Sequence, residues 1–146
     1  MDKYKEIGLR LTPQRMAILS FLDGNKEHPS AEEIYREVSK RFPHMSFATV
    51  YNNLEALKSR GAILELNIDP GRRRYDPETG YHHHLVCEKC KKIIDINANF
   101  DLNLTDDQKD GFLIHGNRIE FYGLCMECRS GNGDQMKSIG SIENIE

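Results

Sequence analysis

Apolar positions in the first half of the chain recur at helical spacing. Val50, Leu54 and Leu57 fall at i, i+4 and i+7, the single buried stripe of a helix that starts at Ser46 and closes at Gly61. Ile34, Tyr35, Val38 and Phe42 give an earlier helix its apolar face. Ser30 opens that helix, Glu33 completes a capping box, and Pro43 ends it. The run QRMAILSFL predicts a helix from Gln14 to a stop near Gly24. Thr12 is its N-cap and Pro13 its first residue, where a missing N–H costs nothing. Tyr4 to Leu9 is a short helical lead-in.

The pattern then changes. Ala62 to Ile68 reads as a strand, Asp69-Pro70-Gly71 as a turn, and Arg72-Arg73-Arg74-Tyr75 as the return strand. Three helices followed by a hairpin are the layout of a winged helix-turn-helix, whose last helix enters the major groove of DNA. The exposed side of the third helix carries Thr49, Tyr51, Asn52 and Asn53, groups suited to base edges, and the arginine triplet suits phosphate. Singly, each of these is an ordinary solvated residue; their order along the chain points to DNA. Arg15, Ser46, Thr49, Tyr51, Asn52, Asn53 and Arg73 are the candidate DNA contacts.

Further on, Ile93, Ile94 and Ile96 predict a strand, and Thr105 to Asp110 a short helix capped by Gly111. Phe112 to Ile114 and Arg118 to Tyr122 predict a second hairpin, because Ile119 and Phe121 alternate with Arg118, Glu120 and Tyr122. The fold class expected is α+β: a winged helix-turn-helix DNA-binding domain over residues 1–78 and a small α/β dimerisation and metal-binding domain over 79–129. Residues 130–146 are small and polar, the composition of a disordered tail.

Composition adds one point. The chain has 146 residues, 29% of them charged, and a net charge of −3, which alone argues against nucleic acid. Residues 1–75, however, carry a net +3 and residues 76–146 a net −6, so a mildly basic front faces a different partner from an acidic back. No apolar run approaches the ~20 residues of a membrane span. The N-terminus MDKYKEIGLR has no continuous apolar stretch, so a cytoplasmic location is expected.

Cys87, Cys90, Cys125 and Cys128 are all the cysteines, in two Cys-x-x-Cys pairs. Four soft thiolates within reach of one ion are the tetrahedral set that zinc prefers, so a closed structural zinc site is expected. Redox dithiols and disulfides are the alternatives, and neither has support in the pattern. Between the pairs and the hairpin lies Tyr81-His82-His83-His84. If this stretch is extended, His82 and His84 point to one side and His83 to the other. With Asp76 before and Asp95 after, they form a nitrogen and oxygen donor set for Fe, Mn, Zn or Co. Spacing alone does not bring in His28, which stands far upstream beside Pro29.

The segments LTPQR (11–15), His28-Pro29 with Ala31-Glu32, FPHMSFATVYNNL (42–54), HHHLVCEKCKKIID (82–95) and YGLCMEC (122–128) together resemble the ferric uptake regulator (Fur) family over residues 5–129. The resemblance implies a homodimeric, metal-activated repressor that binds a palindromic double-stranded DNA operator, with no membrane and no small organic substrate as partner. It implies structural Zn²⁺ on Cys87, Cys90, Cys125 and Cys128. It implies a regulatory Fe²⁺ or Mn²⁺ at the domain junction on His28, Asp76, His82, His84 and Asp95. Aspartates at 76 and 95 look like the peroxide-responsive members, in which a ligand histidine is oxidised, here His28 or His82; iron-responsive members more often have glutamate. Many members have a further metal site beside the histidine cluster, where this chain has Tyr81 in place of a ligand. An iron- or zinc-responsive uptake regulator is the alternative within the family. Outside it stand a metalloenzyme and a zinc-stabilised interaction module. No general base or nucleophile motif stands out, so the chain is not expected to be an enzyme.

Overall fold

The computed structural model describes residues 2–130. The tail expected over 130–146 therefore lies outside the described residues, apart from Ser130.

A 3-10 turn at Asp2–Ile7 leads into three helices, α1 (Pro13–Leu22), α2 (Ala31–Ser39) and α3 (Phe47–Ser59). Each start is set by a side-chain cap. Thr12 accepts from the Arg15 N–H and Ser46 from the Thr49 N–H. Ser30 and Glu33 exchange bonds in a full capping box. Gly24 and Gly61, just past α1 and α3, take φ of +68° and +72°, a conformation that glycine adopts freely.

The helices close on one core. Ile18, Leu19 and Leu22 of α1, Ile34 and Val38 of α2, and Val50, Leu54 and Leu57 of α3 are buried together with Ile63 and Tyr75. Each fully buried aliphatic side chain contributes about 1.5–3 kcal/mol of transfer free energy. The wing is shorter than its pattern: β1 (Leu64–Leu66) pairs antiparallel with β2 (Arg74–Asp76), Leu64 opposite Asp76. The remaining strands form a second sheet. Its centre is β3 (His83–Cys87), with β4 (Ile93–Ile96) antiparallel on one side and β5 (Glu120–Gly123) parallel on the other. Between β4 and β5 lies α4 (Asp106–Lys109), opened by a Thr105/Gln108 capping box; α5 (Met126–Ser130) follows β5.

Two expectations are corrected. Phe112 to Ile114 is not a strand and makes no hairpin with β5, which pairs in parallel with β3; the second hairpin is β3–β4 instead. Alternation marks a strand but not its partner, and the long connection from β4 to β5 is what a parallel crossover needs. The second correction concerns the arginine triplet. Arg72 and Arg73 are on the surface, but Arg74 is buried and turned inward, away from any phosphate.

Candidate metal centres and nucleic-acid face

The sheet holds its histidines by alternation. His84 sits on β3 directly opposite Asp95 of β4, and His82 precedes the strand on the same side. Asp76 ends β2, where its carboxylate accepts from the Glu78 N–H at 2.9 Å. His28 comes from the loop before α2. The Tyr75 N–H donates to the Pro29 carbonyl at 3.0 Å, and Ser30 bridges to Arg74, so this loop lies against β2 beside Asp76.

The five side chains converge. His28 Nε2 is 2.7 Å from Asp95 Oδ1 and 3.4 Å from Asp76 Oδ2. His82 Nε2 is 2.8 Å from Asp76 Oδ2 and 3.3 Å from Asp95 Oδ1. His84 Nε2 is 3.3 and 3.2 Å from the same two oxygens. Donor atoms of His28, Asp76, His84 and Asp95 all lie within 4.8 Å of one another, and Glu78, His82 and Asp95 form an overlapping trio. Glu78 was not read from the sequence; its place two residues after Asp76 carries no signal without the fold.

Electrostatics at the cluster are those of two carboxylates facing three imidazoles. Burial pulls the His28 pKa down, but the hydrogen bond with Asp76 and the charge of Asp95 outweigh it, and the net direction is up. His82 moves up too, against the pull of burial, through its bonds with the Gly80 carbonyl and Asp76. Burial would raise Asp76, but bonds with His28, His84, the Glu78 N–H and His82 take its carboxyl well below the usual range. Three nitrogens and two carboxylate oxygens, dry and aimed at one point, fit a divalent ion of the Fe²⁺ or Mn²⁺ kind.

The four cysteines also meet. All four sulfurs lie within 4.8 Å of one another, with Cys90 Sγ 3.8 Å from Cys125 Sγ. The first pair sits in the β3–β4 turn, closed by the Lys91 N–H to the Cys87 carbonyl and the Cys87 N–H to the Lys92 carbonyl, both 2.9 Å. Cys125 follows β5, and Cys128 is on α5. Burial opposes ionisation of Cys87, but backbone N–H groups of Cys125, Cys90 and Lys89 donate to it and lower its pKa to about 6. A sulfur supplied with amide donors from both knuckles fits a zinc-bound thiolate.

Beside the sheet, His83 faces the other way, as alternation requires. Its Nδ1 accepts from the Ile119 N–H at 2.9 Å, and its ring meets Phe100 edge-on. Tyr81 covers this side: a Cβ on Gly116 would come within 2.7 Å of its ring, and Arg118 stacks over it.

On the helical part, Thr49 and Asn52 of α3 are exposed, and Ser46 bonds Thr49 at 2.9 Å. Arg15 donates from Nε to Asn53 at 2.9 Å, linking α1 to α3. Arg73 reaches across the wing, donating to the Tyr51 hydroxyl and pairing with Glu65 at 3.1 Å.

The ferric uptake regulator family model matches residues 6–122, from the lead-in to β5. The chain belongs to the ferric uptake regulator family. The peroxide operon regulator of Bacillus subtilis (strain 168) is 39% identical over 130 residues, 88% of this chain and 90% of that protein. The peroxide-responsive repressor PerR of Staphylococcus aureus (strain Mu50) is 41% identical over 128 residues, 86% of each chain. Among solved structures, the Campylobacter jejuni peroxide stress regulator matches with a TM-score of 0.64 and 31% identity, over 87% of this chain and 97% of that one. As a ferric uptake regulator family member the chain is a metal-dependent transcriptional regulator and not an enzyme. No helix among the described residues is long and apolar enough to cross a membrane.

Proposed function

We propose that this chain is a cytoplasmic, homodimeric repressor of the peroxide-responsive kind. It binds a palindromic operator while a divalent ion occupies His28, Asp76, His82, His84 and Asp95, and releases it after peroxide. The observation that supports this reading is the origin of the five donors. His28 and Asp76 come from the winged-helix part, and His82, His84 and Asp95 from the sheet part. A domain boundary near residue 78 runs between the two sets. One ion held by all five pins the loop before α2 and the end of the wing to β3 and β4, which restricts how α3 is presented to DNA. Such a switch works only if the ion binds the DNA-competent arrangement more tightly than the other.

Fe²⁺ there would supply one-electron chemistry toward peroxide, which Mn²⁺ does not readily supply. Damage to a ligand imidazole removes a donor, and where that ligand is His28 the His28–Asp95 tie between the two parts is lost with it. The four cysteines hold structural Zn²⁺. Arg15, Ser46, Thr49, Tyr51, Asn52, Asn53 and Arg73 form the DNA face. Dimerisation is supported by apolar side chains left in water on a single chain, Leu102, Leu104, Phe112, Leu113 and Ile114 in the segment that precedes β5, and by the open edge of β5 itself.

The test is peptide mass spectrometry on Fe²⁺-loaded and Mn²⁺-loaded protein after brief, low peroxide. One added oxygen on the His28 or His82 peptide, with iron only and together with loss of DNA binding, is expected. DNA release with both peptides unmodified, or prior oxidation of the Cys87–Cys128 thiols, returns the chain to the iron-responsive reading.

A further inference from the structure

Arg74 is the buried arginine that neither centre uses. Its neighbours Arg72 and Arg73 pair with the carboxylates of Glu33 and Glu65, whereas its own guanidinium is spent on main chain. Nε donates to the His28 carbonyl, Nη2 to the Glu27 carbonyl at 3.0 Å, and Nη1 to the Lys91 carbonyl at 3.3 Å. Among the described residues, the carboxylate it pairs with is that of Asp69, 3.8 Å away. The first two carbonyls belong to the loop that presents His28. The third belongs to the turn that closes the Cys87–Cys90 knuckle. His28 and Lys91 share a second property: both are non-glycine residues with positive φ, +51° and +65°. Such residues are uncommon and persist where their surroundings hold them. One planar fork holds the carbonyl of each.

We propose that Arg74 is a positioning residue that couples the two metal centres, clamping the His28 loop and the cysteine knuckle to one guanidinium. Ordering of the His28 loop by an ion at the five-donor cluster then orders the knuckle, and a well-formed knuckle holds the His28 loop ready. A lysine cannot replace it, because an ammonium on a flexible stem lacks the fixed fork that reaches three carbonyls at once. The inference rests on the metal-site reading proposed above for His28 and its partners.

The test uses the zinc-loaded full chain and the variants Arg74→Lys and Arg74→Gln. Mn²⁺ affinity is measured by titration calorimetry, and hydrogen exchange is followed in the peptide spanning residues 87–93 with and without Mn²⁺. In the wild type, Mn²⁺ should slow exchange in that peptide. In both variants that response should disappear, and Mn²⁺ should bind about tenfold more weakly, the loss usual for an outer-shell partner. Zinc content and the protection of α1 to α3 should stay as in the wild type. A merely structural arginine would loosen the knuckle equally with and without Mn²⁺ and leave the response in place, which overturns the coupling. A wild type that binds Mn²⁺ with no change at 87–93 overturns it without recourse to any variant. A wild type that takes up no Mn²⁺ overturns the metal-site reading and the coupling with it.

Discussion

His28 and Asp95 are 67 residues apart and meet at 2.7 Å, Nε2 to Oδ1. One comes from the loop before α2 and the other from β4, so this contact joins the helical part of the chain to its second sheet. Both aspartates of the cluster face all three imidazoles, which makes each carboxylate a shared partner.

The first prediction follows from that sharing. Asp76→Asn or Asp95→Asn keeps the shape but removes the anion. Mn²⁺ affinity should fall by more than about tenfold, since a direct ligand matters at least as much as an outer-shell partner. Calorimetric titration reads the change. Unaltered affinity in either variant would take that residue out of the ligand set.

The cysteine cluster makes a different prediction. Cys90→Ser leaves three sulfurs, and the chain should lose one equivalent of zinc by metal analysis. Apparent free energies of structural zinc binding in small peptides are on the order of 10–16 kcal/mol, so the sheet part should melt well below the wild type and dimerise less. A zinc-free variant with wild-type melting and assembly would show that the metal has no structural role.

On the DNA face, Arg73 and Asn53 should fail in different ways. Arg73→Ala should weaken operator and random DNA alike and flatten the salt dependence of binding by about one unit of slope. Asn53→Ala should weaken the operator more, by about 1–3 kcal/mol if a base contact is lost. Fluorescence anisotropy over a salt series separates the two. Equal losses on both DNAs from both changes would remove α3 as the reader of sequence.

The exposed apolar residues before β5 carry the last prediction. Phe112 and Leu113 are 71% and 82% exposed in the single chain. Leu113→Asp should shift the protein toward monomer in sedimentation while leaving zinc content at one per chain. A dimer of undiminished strength would place the interface elsewhere.

Local information was enough for most of the helical part. Thr12, Ser30 and Ser46 are caps because their side chains satisfy N–H groups three residues on, a bond closed within one turn. The stripe Val50, Leu54, Leu57 is set by helix geometry, and the four cysteines by the preference of one ion for four sulfurs. These relations span a few residues or a single chemistry, so sequence by itself determined them. What remained needed the folded chain. The partner of β5 is β3 in parallel, a pairing between distant segments that alternation does not encode. His28 joins Asp95 only because β2 pairs with the Pro29–Ser30 stretch and carries that loop to the second sheet. Arg72, Arg73 and Arg74 are identical as letters. Tertiary structure alone decided that the third is buried, because the strand turns it inward where three main-chain carbonyls need a donor.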